Sequence, residues 1–520
     1  MDKQVLTYSC CIAYLLIYSL MFVHGDKIPK SCSQTPYPHV CSHYMGTANT
    51  LSTLDASSFH EMALRVTMDQ AIEAHKLVST MKLDNFNNKF SKLAWDDCLE
   101  LYEDTVNKLN RSMSSNNPND RLTWLSASIA NQQTCQNGFL DFNLSSHLNY
   151  FPDMLSNFSK LISNSLAINH ALSLALASSS SLVNGKQTGG RRLLSHGFPE
   201  WLSASDRRLL QATGTGPKAD IVVAQDGSGN YKTISEGVAA ASKRGGGRVV
   251  VYVKAGVYKE QVEVTKSMKN LMIFGDGIDA TIVTGSKSAQ STTTFRSATF
   301  GIAGDGFMAR DITFENTAGP QNHQAVALRS GSDHSVFYRC SFKGNQDTLY
   351  VYSQRQFYRD CVIYGTVDFI FGDAAVVLQS CNIIMRKSDK RNTVTAQGRT
   401  DPNENTGIII HNSRISGSGS NNFLGRPWQK YSRTVVMKSS IDGSINPAGW
   451  APWSGGFALS TLYYGEYMNS GPGADTSGRV NWPGFHVITS PAEAGKFTVG
   501  NFLAGGSWIT GTGVPFDSGL

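Results

Sequence analysis

Histidine is scarce in the second half of this 520-residue chain: of its 12 histidines, only His323, His334, His411 and His486 lie beyond residue 212. No G-x-S-x-G occurs anywhere, so the strand-turn-helix elbow that exposes a nucleophilic serine has no candidate. Together these absences argue against serine-triad hydrolysis. The nine cysteines form no Cys-x-x-Cys, and no histidine cluster has zinc spacing, so neither a metal nor another cofactor is expected. Charged residues make up 17% of the chain and do not run together in blocks of one sign. With no nucleic-acid motif beside them, nucleic acid is not the expected partner. Beyond the first 25 residues no apolar stretch is long enough to span a bilayer.

Charge is instead divided between two halves. Residues 1–211 hold about 17 basic and 17 acidic residues, and 212–520 about 29 and 23, so the net +6 belongs to the C-terminal part. Scattered positive charge of this kind suits an acidic polysaccharide. At the N-terminus, Asp2 and Lys3 precede an apolar run from Val5 to Val23 that ends at His24-Gly25. It is read as a cleaved secretory signal over 1–25, the alternative being an uncleaved signal anchor. Sequons at Asn110, Asn143 and Asn157 agree with a secretory route and with glycosylation. In that oxidising setting Cys32, Cys41, Cys98, Cys135, Cys340, Cys361 and Cys381 could form three bridges and leave one thiol.

Periodicity changes along the chain. Glu61–Val78 carries apolar residues near i, i+3, i+4 and i+7 without Pro or Gly, and similar patterns cover Leu93–Leu109 and Met154–Leu176. Short connections between such helices predict a bundle over 26–180, pinned by Cys32–Cys41 and Cys98–Cys135. A Ser- and Gly-rich linker over 181–211 follows, containing Arg191-Arg192-Leu-Leu and again Arg207-Arg208-Leu-Leu. A repeated dibasic site in a polar linker predicts proteolytic processing, the alternative being two chance Arg pairs. From Ala219 onward short β-rich runs alternate with Gly, Asp and Asn, which predicts strands stacked in a parallel solenoid over 212–520.

One internal repeat points to chemistry. Phe337-Tyr-Arg-Cys340-Ser-Phe-Lys-Gly344-Asn-Gln346-Asp347 overlays Phe357-Tyr-Arg-Asp-Cys361-Val-Ile-Tyr-Gly365-Thr-Val-Asp368. Cysteine, glycine and aspartate all match at an offset of 21 (361−340, 365−344, 368−347). Equivalent positions on adjacent coils lie one strand spacing apart, roughly 4.8 Å, so both carboxylates would face one substrate. Gln346 adjoins Asp347, and Gln324 lies about one coil earlier. Spacing alone suits a retaining glycosidase as well as an esterase, and a non-catalytic polysaccharide-binding module would also fit the solenoid and the charge.

Five motifs narrow this choice: Gly256-Val-Tyr-Lys-Glu260, Gln324-Ala-Val-Ala-Leu328, Gln346-Asp347-Thr-Leu349, Asp368-Phe-Ile-Phe-Gly372 and Leu424-Gly-Arg426-Pro-Trp428. In order and at these spacings, residues 212–520 resemble the plant pectinesterases (pectin methylesterases). Residues 32–175 resemble the pectinesterase-inhibitor family in cysteine spacing and helical pattern. The resemblance implies an all-α four-helix bundle followed by an all-β right-handed parallel β-helix, in a secreted cell-wall protein acting on methyl-esterified pectin. It implies Asp368 as nucleophile, Asp347 as proton donor and base, Gln346 and Gln324 as oxyanion donors, and Arg426 as the guanidinium beside the nucleophile. Thr294, Gln324, Arg426 and Trp428 match substrate-contact positions, and Trp450, Trp453 and Phe295 are further groove candidates. Glu260 is expected to satisfy local donors rather than to catalyse. Cys361 and Cys381, stacked on adjacent coils, are expected to pair and leave Cys340 a buried thiol. The chain's own helical region, or a separate inhibitor protein, is the expected protein partner, with no stable membrane insertion once the signal is removed.

Overall fold

The computed structural model describes residues 31–46, 56–81, 88–150, 153–183, 218–245 and 247–520. The expected signal and both Arg-Arg-Leu-Leu sites fall outside these. The N-terminal part contains a short helix α1 (Pro38–Met45) and four long ones, α2 (Ala56–Thr80), α3 (Lys89–Ser114), α4 (Pro118–Leu140) and α5 (Asp153–Val183). Each long helix packs on two others, α2 on α3 and α5, and α4 on α3 and α5, closing a four-helix bundle. In α2 the residues Phe59, Ala63, Thr67, Ala71, Ala74 and Val78 are buried at steps of three and four, the stripe that a bundle requires. The Asn88 side chain accepts from the Ser91 N–H at the start of α3, and Asn117 caps α4 ahead of Pro118. The Cys32–Cys41 bridge ties the chain to α1, and Cys98–Cys135 locks α3 to α4 across a separation of 37 residues. Closing a loop of that length stabilises by roughly 3–4 kcal/mol.

From Ile221 the chain winds into a right-handed parallel β-helix whose first, second and third sheets have eleven, eight and seven strands. One coil runs through Ser335–Tyr338 in the first sheet, Ser341–Lys343 in the second and Leu349–Val351 in the third, and returns to the first at Arg355–Arg359. At the bend from first to second sheet stands one left-handed residue per coil: Asp311, Arg339, Asp360, Ser380, Asn412, Lys438 and Met468, with φ between 47° and 56°. One such residue turns the strand direction sharply without a long loop. Inside, aromatic side chains stack coil on coil. The Phe314 and Phe342 rings lie 5.7 Å apart, and Phe337 and Tyr358 4.5 Å apart. Each fully buried ring contributes roughly 1.5–3 kcal/mol. The first sheet is covered outside as well, by Phe497, Val499, Leu503 and Ile509 of the C-terminal segment. That is why its strands, such as Ala375-Val-Val-Leu-Gln379, are buried throughout.

Between the first two strands of the β-helix lies α6 (Ile234–Ala241), capped by Thr233 and Glu236 in a reciprocal capping box. Glu260 also meets this helix, accepting from the backbone N–H groups of Ile234 (2.8 Å) and Ser235 (2.9 Å). A carboxylate there satisfies orphan donors and complements the helix dipole. Its role is local, as expected.

The expected Cys361–Cys381 bridge is absent: Cys340, Cys361 and Cys381 are all free and buried. The cause is the register. Ser341, Val362 and Asn382 pair in line on three coils, and each cysteine immediately precedes one of them. In-register parallel strands hold equivalent side chains side by side at roughly 4.8 Å, whereas a disulfide draws its Cβ atoms to about 3.8 Å. The thiols turn to backbone carbonyls instead, Cys361 to Phe337 and Arg359 (3.4 Å each) and Cys381 to Gln379 (3.5 Å). Burial pushes the Cys361 and Cys381 thiols well up, keeping them protonated. Alkylation followed by mass measurement should therefore find these three thiols unmodified in the native protein and all three modified after denaturation without reductant. Modification of one alone would restore the bridge.

Candidate active site

Asp347 and Asp368 stand at the corner that leads into the third sheet, two residues before Leu349 and Ile370, which pair directly. The 21-residue offset is thus a register, and the two carboxyl groups occupy equivalent places on adjacent coils. Both have left-handed backbones, φ 63° and 51°, a conformation that aspartate tolerates better than most residues and one that recurs at functional sites. Neighbouring coils hold the corner in place: the Asp347 N–H donates to Val367 O (3.1 Å) and the Asp368 N–H to Thr393 Oγ1 (2.9 Å).

The two aspartates meet different surroundings. Asp368 lies in an arginine fork, with Arg426 Nε 2.8 Å from Oδ1 and Nη2 2.6 Å from Oδ2, and the Thr393 hydroxyl donates to Oδ1 at 2.5 Å. Two parallel charge-assisted bonds fix the orientation of the carboxylate. Asp347 is buried, and its pKa is raised well above the ordinary carboxylate value, first by desolvation, then by the charges of Asp368 and Asp141, with Arg426 opposing. Burial and neighbouring negative charge thus favour the neutral form of Asp347, whereas Asp368 is gripped by the guanidinium.

Arg426 is positioned by its neighbours. Its N–H donates to Thr395 O (3.0 Å), and Gly425 allows that approach, because a Cβ there would meet Thr395 Oγ1 at 2.1 Å. The guanidinium carbon lies 4.2 Å from the Trp453 ring centre. Burial lowers the Arg426 pKa, but its bonds with Asp368 and the charges of Asp368 and Asp347 outweigh that and raise it above the usual value.

A cavity of about 240 Å³ opens over the pair. Gln324, Gln346, Thr294, Phe295, Trp428 and Trp453 line it on the β-helix side, so the residues expected at the site do converge. The Gln346 carbonyl accepts from the Ala325 N–H (3.2 Å), which sets the two glutamines on successive coils beside the aspartates. Trp450 is not among the lining residues. It is buried in the β-helix, with its ring N–H donating to Glu466 Oε1 (3.1 Å). Sequence reasoning missed Thr393, 25 residues beyond Asp368.

The helical domain, expected to cover the cleft, forms the opposite wall, although the residues it contributes were not foreseen. Asp97, Thr134, Asn137, Gly138 and Asp141 line the same cavity. The Thr294 hydroxyl donates to Asp141 Oδ2 (2.9 Å), and Arg296 pairs with Asp97 (2.5 Å). Asp141 is exposed at the edge of the cavity, and the desolvation it does undergo there raises its pKa, with Thr294 opposing. Further along, Tyr352 donates to Asn131 Oδ1 (2.6 Å), Arg355 pairs with Asp120 (2.6 Å) and Arg111 with Asp305 (2.9 Å). Trp124 donates its ring N–H to Asp333 Oδ2 (3.1 Å) beneath the Arg111 guanidinium. An apolar cluster shared by Leu125 and Ile129 of α4 with Tyr350, Tyr352 and Phe371 completes the contact. The bundle roofs the site.

Of the three sequons, Asn110 and Asn143 are exposed and Asn157 is half-buried. Among the described residues no group of three or more His, Cys, Asp or Glu could hold a metal ion, and no helix is long and apolar enough to cross a membrane.

Comparison with known proteins agrees with this architecture. Residues 220–506 match the Pectinesterase family, and residues 26–168 match the family Plant invertase/pectin methylesterase inhibitor. Pectinesterase 2 of Citrus sinensis is 50% identical over 535 residues, covering 100% of both chains. "Probable pectinesterase/pectinesterase inhibitor 6" of Arabidopsis thaliana is 53% identical over 541 residues, covering 98% of this chain and 97% of that one. Among solved structures, the pectin methylesterase from carrot is 58% identical with a TM-score of 0.58, covering 59% of this chain and 100% of its own. The chain belongs to the pectinesterase family, and it is a pectinesterase whose β-helix follows a helical domain of the inhibitor type.

Proposed function

We propose that the chain hydrolyses the methyl esters of pectin in the cell wall, after secretion, through an aspartyl acyl-enzyme. The observation that carries this reading is the asymmetric pair, with Asp368 in the Arg426 fork beside a buried Asp347 whose pKa is raised. Asp368 attacks the ester carbonyl carbon, and the tetrahedral oxyanion accepts N–H bonds from the Gln346 and Gln324 amides. As the carbonyl re-forms, the C–O bond to methoxide breaks and Asp347 gives its proton to the leaving oxygen, so methanol departs from an Asp368 anhydride. Asp347, now a carboxylate, takes a proton from water, whose oxygen attacks the same acyl carbon. The bond to Asp368 breaks, the galacturonic acid product leaves and gives its proton to solvent, and both aspartates return to their starting states. Trp428 offers its ring face to the sugar, and Thr294 and Arg426 contact the galacturonan.

The bundle over the cleft supports a second element of the proposal: the helical domain inhibits in cis until the linker over 181–211 is cut at Arg191-Arg192 or Arg207-Arg208. The test compares unprocessed and processed chain on methyl-esterified pectin. The processed form should release methanol at least about tenfold faster, with no new reducing ends. Falling polymer length would favour a glycosidase, and pectin binding without methanol would favour a binding module. Equal activity of the two forms would remove the inhibitory role.

A further inference from the structure

Asp347 and Asp368 occupy equivalent places on adjacent coils, yet the coil that follows each of them treats it differently. The Asp347 N–H meets a backbone carbonyl, that of Val367 (3.1 Å), whereas the Asp368 N–H meets the Thr393 hydroxyl (2.9 Å). A carbonyl can only accept. A hydroxyl can accept and donate at once, and Thr393 does both, returning its own hydrogen to Asp368 Oδ1 at 2.5 Å. The register puts it there. Ile370 pairs with Thr395, so Asp368 and Thr393, each two residues earlier, stand side by side, and Thr393 pairs in turn with Phe423. The polar column Asp347, Asp368, Thr393 thus ends at an apolar ring.

Thr393 is buried and is not among the residues that line the cavity, so any part it has in the reaction is exerted through Asp368. Each carboxylate oxygen offers two lone pairs. Oδ1 accepts from Thr393 and, at 2.8 Å, from Arg426 Nε, which engages both of its lone pairs. Oδ2 accepts from Arg426 Nη2 at 2.6 Å, with Nε farther from it at 3.1 Å. One lone pair of Oδ2 is therefore the least engaged of the four. The hydroxyl itself is held firmly. Thr393 is β-branched, which restricts its χ1. Its N–H donates to Thr366 O (3.1 Å) and its carbonyl accepts from the Phe369 N–H (3.4 Å), tying it to the chain on both sides of Asp368.

We propose that Thr393 is a positioning residue, which by engaging Oδ1 and the Asp368 N–H together leaves Oδ2 as the atom that attacks the ester. This rests on the reading of Asp368 as nucleophile. In acylation Oδ2 forms the bond to the ester carbonyl carbon, and Oδ1 becomes the carbonyl oxygen of the anhydride, still held by Thr393 and Arg426 Nε. When water has attacked the acyl carbon, the bond from that carbon to Oδ2 breaks. Its electron pair returns to Oδ2, and the charge spreads again over both oxygens in the fork. Bonds that persist on Oδ1 keep the carboxyl plane from rotating, so each turnover starts from one geometry. Asp347, which moves a proton rather than forming a bond to carbon, meets a carbonyl at the same place.

The experiment compares Thr393→Val, Thr393→Ala and Thr393→Ser in the processed protein, reading methanol release from methyl-esterified pectin, with a thermal melt to show folding. Thr393→Val should lower kcat about 10²-fold with KM within about twofold of wild type, and Thr393→Ser should keep kcat within about threefold. A role confined to packing predicts the opposite order, because valine keeps the buried shape and serine does not. A folded Thr393→Val with the kcat of the wild type would overturn the inference. So would a folded Thr393→Ser as slow as Thr393→Ala, and that comparison decides even where the valine variant fails to fold. The attacking atom is read from crystals of the Asp347→Asn chain frozen during turnover. The acyl group should be bonded to the oxygen distant from Thr393, and a bond to the oxygen that Thr393 contacts would overturn the assignment of Oδ2. Activity retained by Asp368→Asn would instead strike Asp368 as nucleophile, whatever the Thr393 variants do.

Discussion

Asp368→Asn is expected to lower kcat for methanol release from pectin by roughly 10⁴–10⁶-fold, the range seen when the nucleophile of a covalent mechanism is removed. The amide has the shape of the carboxylate and can still accept from Arg426 and Thr393, but it lacks the charge that attacks the ester. Asp347→Asn should cost less, about 10²–10⁴-fold, because it removes a proton donor while leaving the attacking group in its fork. The two losses should not add, since both act on the same acyl transfer. Asn is preferred to Ala at 368 because Ala would leave Arg426 without its only hydrogen-bonded acid in the described structure, a change with its own stability cost. Measured on the processed form, with a thermal melt to show that each variant is folded, retention of a tenth of the wild-type rate by Asp368→Asn would end the assignment of Asp368 as nucleophile.

The offset of 21 between Asp347 and Asp368 was legible because a solenoid turns sequence spacing directly into register, and Leu349 pairs with Ile370 at that offset. The same arithmetic misled at the cysteines. Alignment that lets two carboxylates share a substrate also keeps two thiols parallel and a strand apart, so a column of identical residues predicts proximity without predicting a bond. Thr393 was illegible for a different reason. The coil after Asp368 is longer, and Ile370 pairs with Thr395 at an offset of 25, so no repeat flags the residue. Asp97 and Asp141 were harder still. Each is one acid among many on a helical domain, and only docking on the β-helix places Asp97 at complete burial and Asp141 on Thr294. Periodicity describes a helix's apolar stripe, but which polar residues meet a neighbouring domain is decided in three dimensions.

Raising the pH from about 4 to 7 should loosen the hold of the helical domain on the catalytic domain, and Asp97 should carry most of the effect. Desolvation raises its pKa to about 7 in the closed state, with Arg296, Thr293 and Arg329 opposing and Glu100 adding to it. Once the bundle is released, Asp97 returns toward the ordinary carboxylate value near 4. Closure therefore takes up a proton between these limits. It is strongest where Asp97 is protonated in both states and weakens as pH rises, until above about 7 the closed state buries a full charge. At 1.36 kcal/mol for each pH unit, the change over this window is at most about 4 kcal/mol, roughly a thousandfold in the closed-to-open ratio. The raised pKa of Asp141 has the same sign. Affinity between the two halves of the chain nicked between residues 183 and 218, measured from pH 4.5 to 7.5, should thus fall by two to three orders of magnitude, and Asp97→Asn should flatten most of that slope. An unchanged slope in Asp97→Asn would move the sensor elsewhere in the interface.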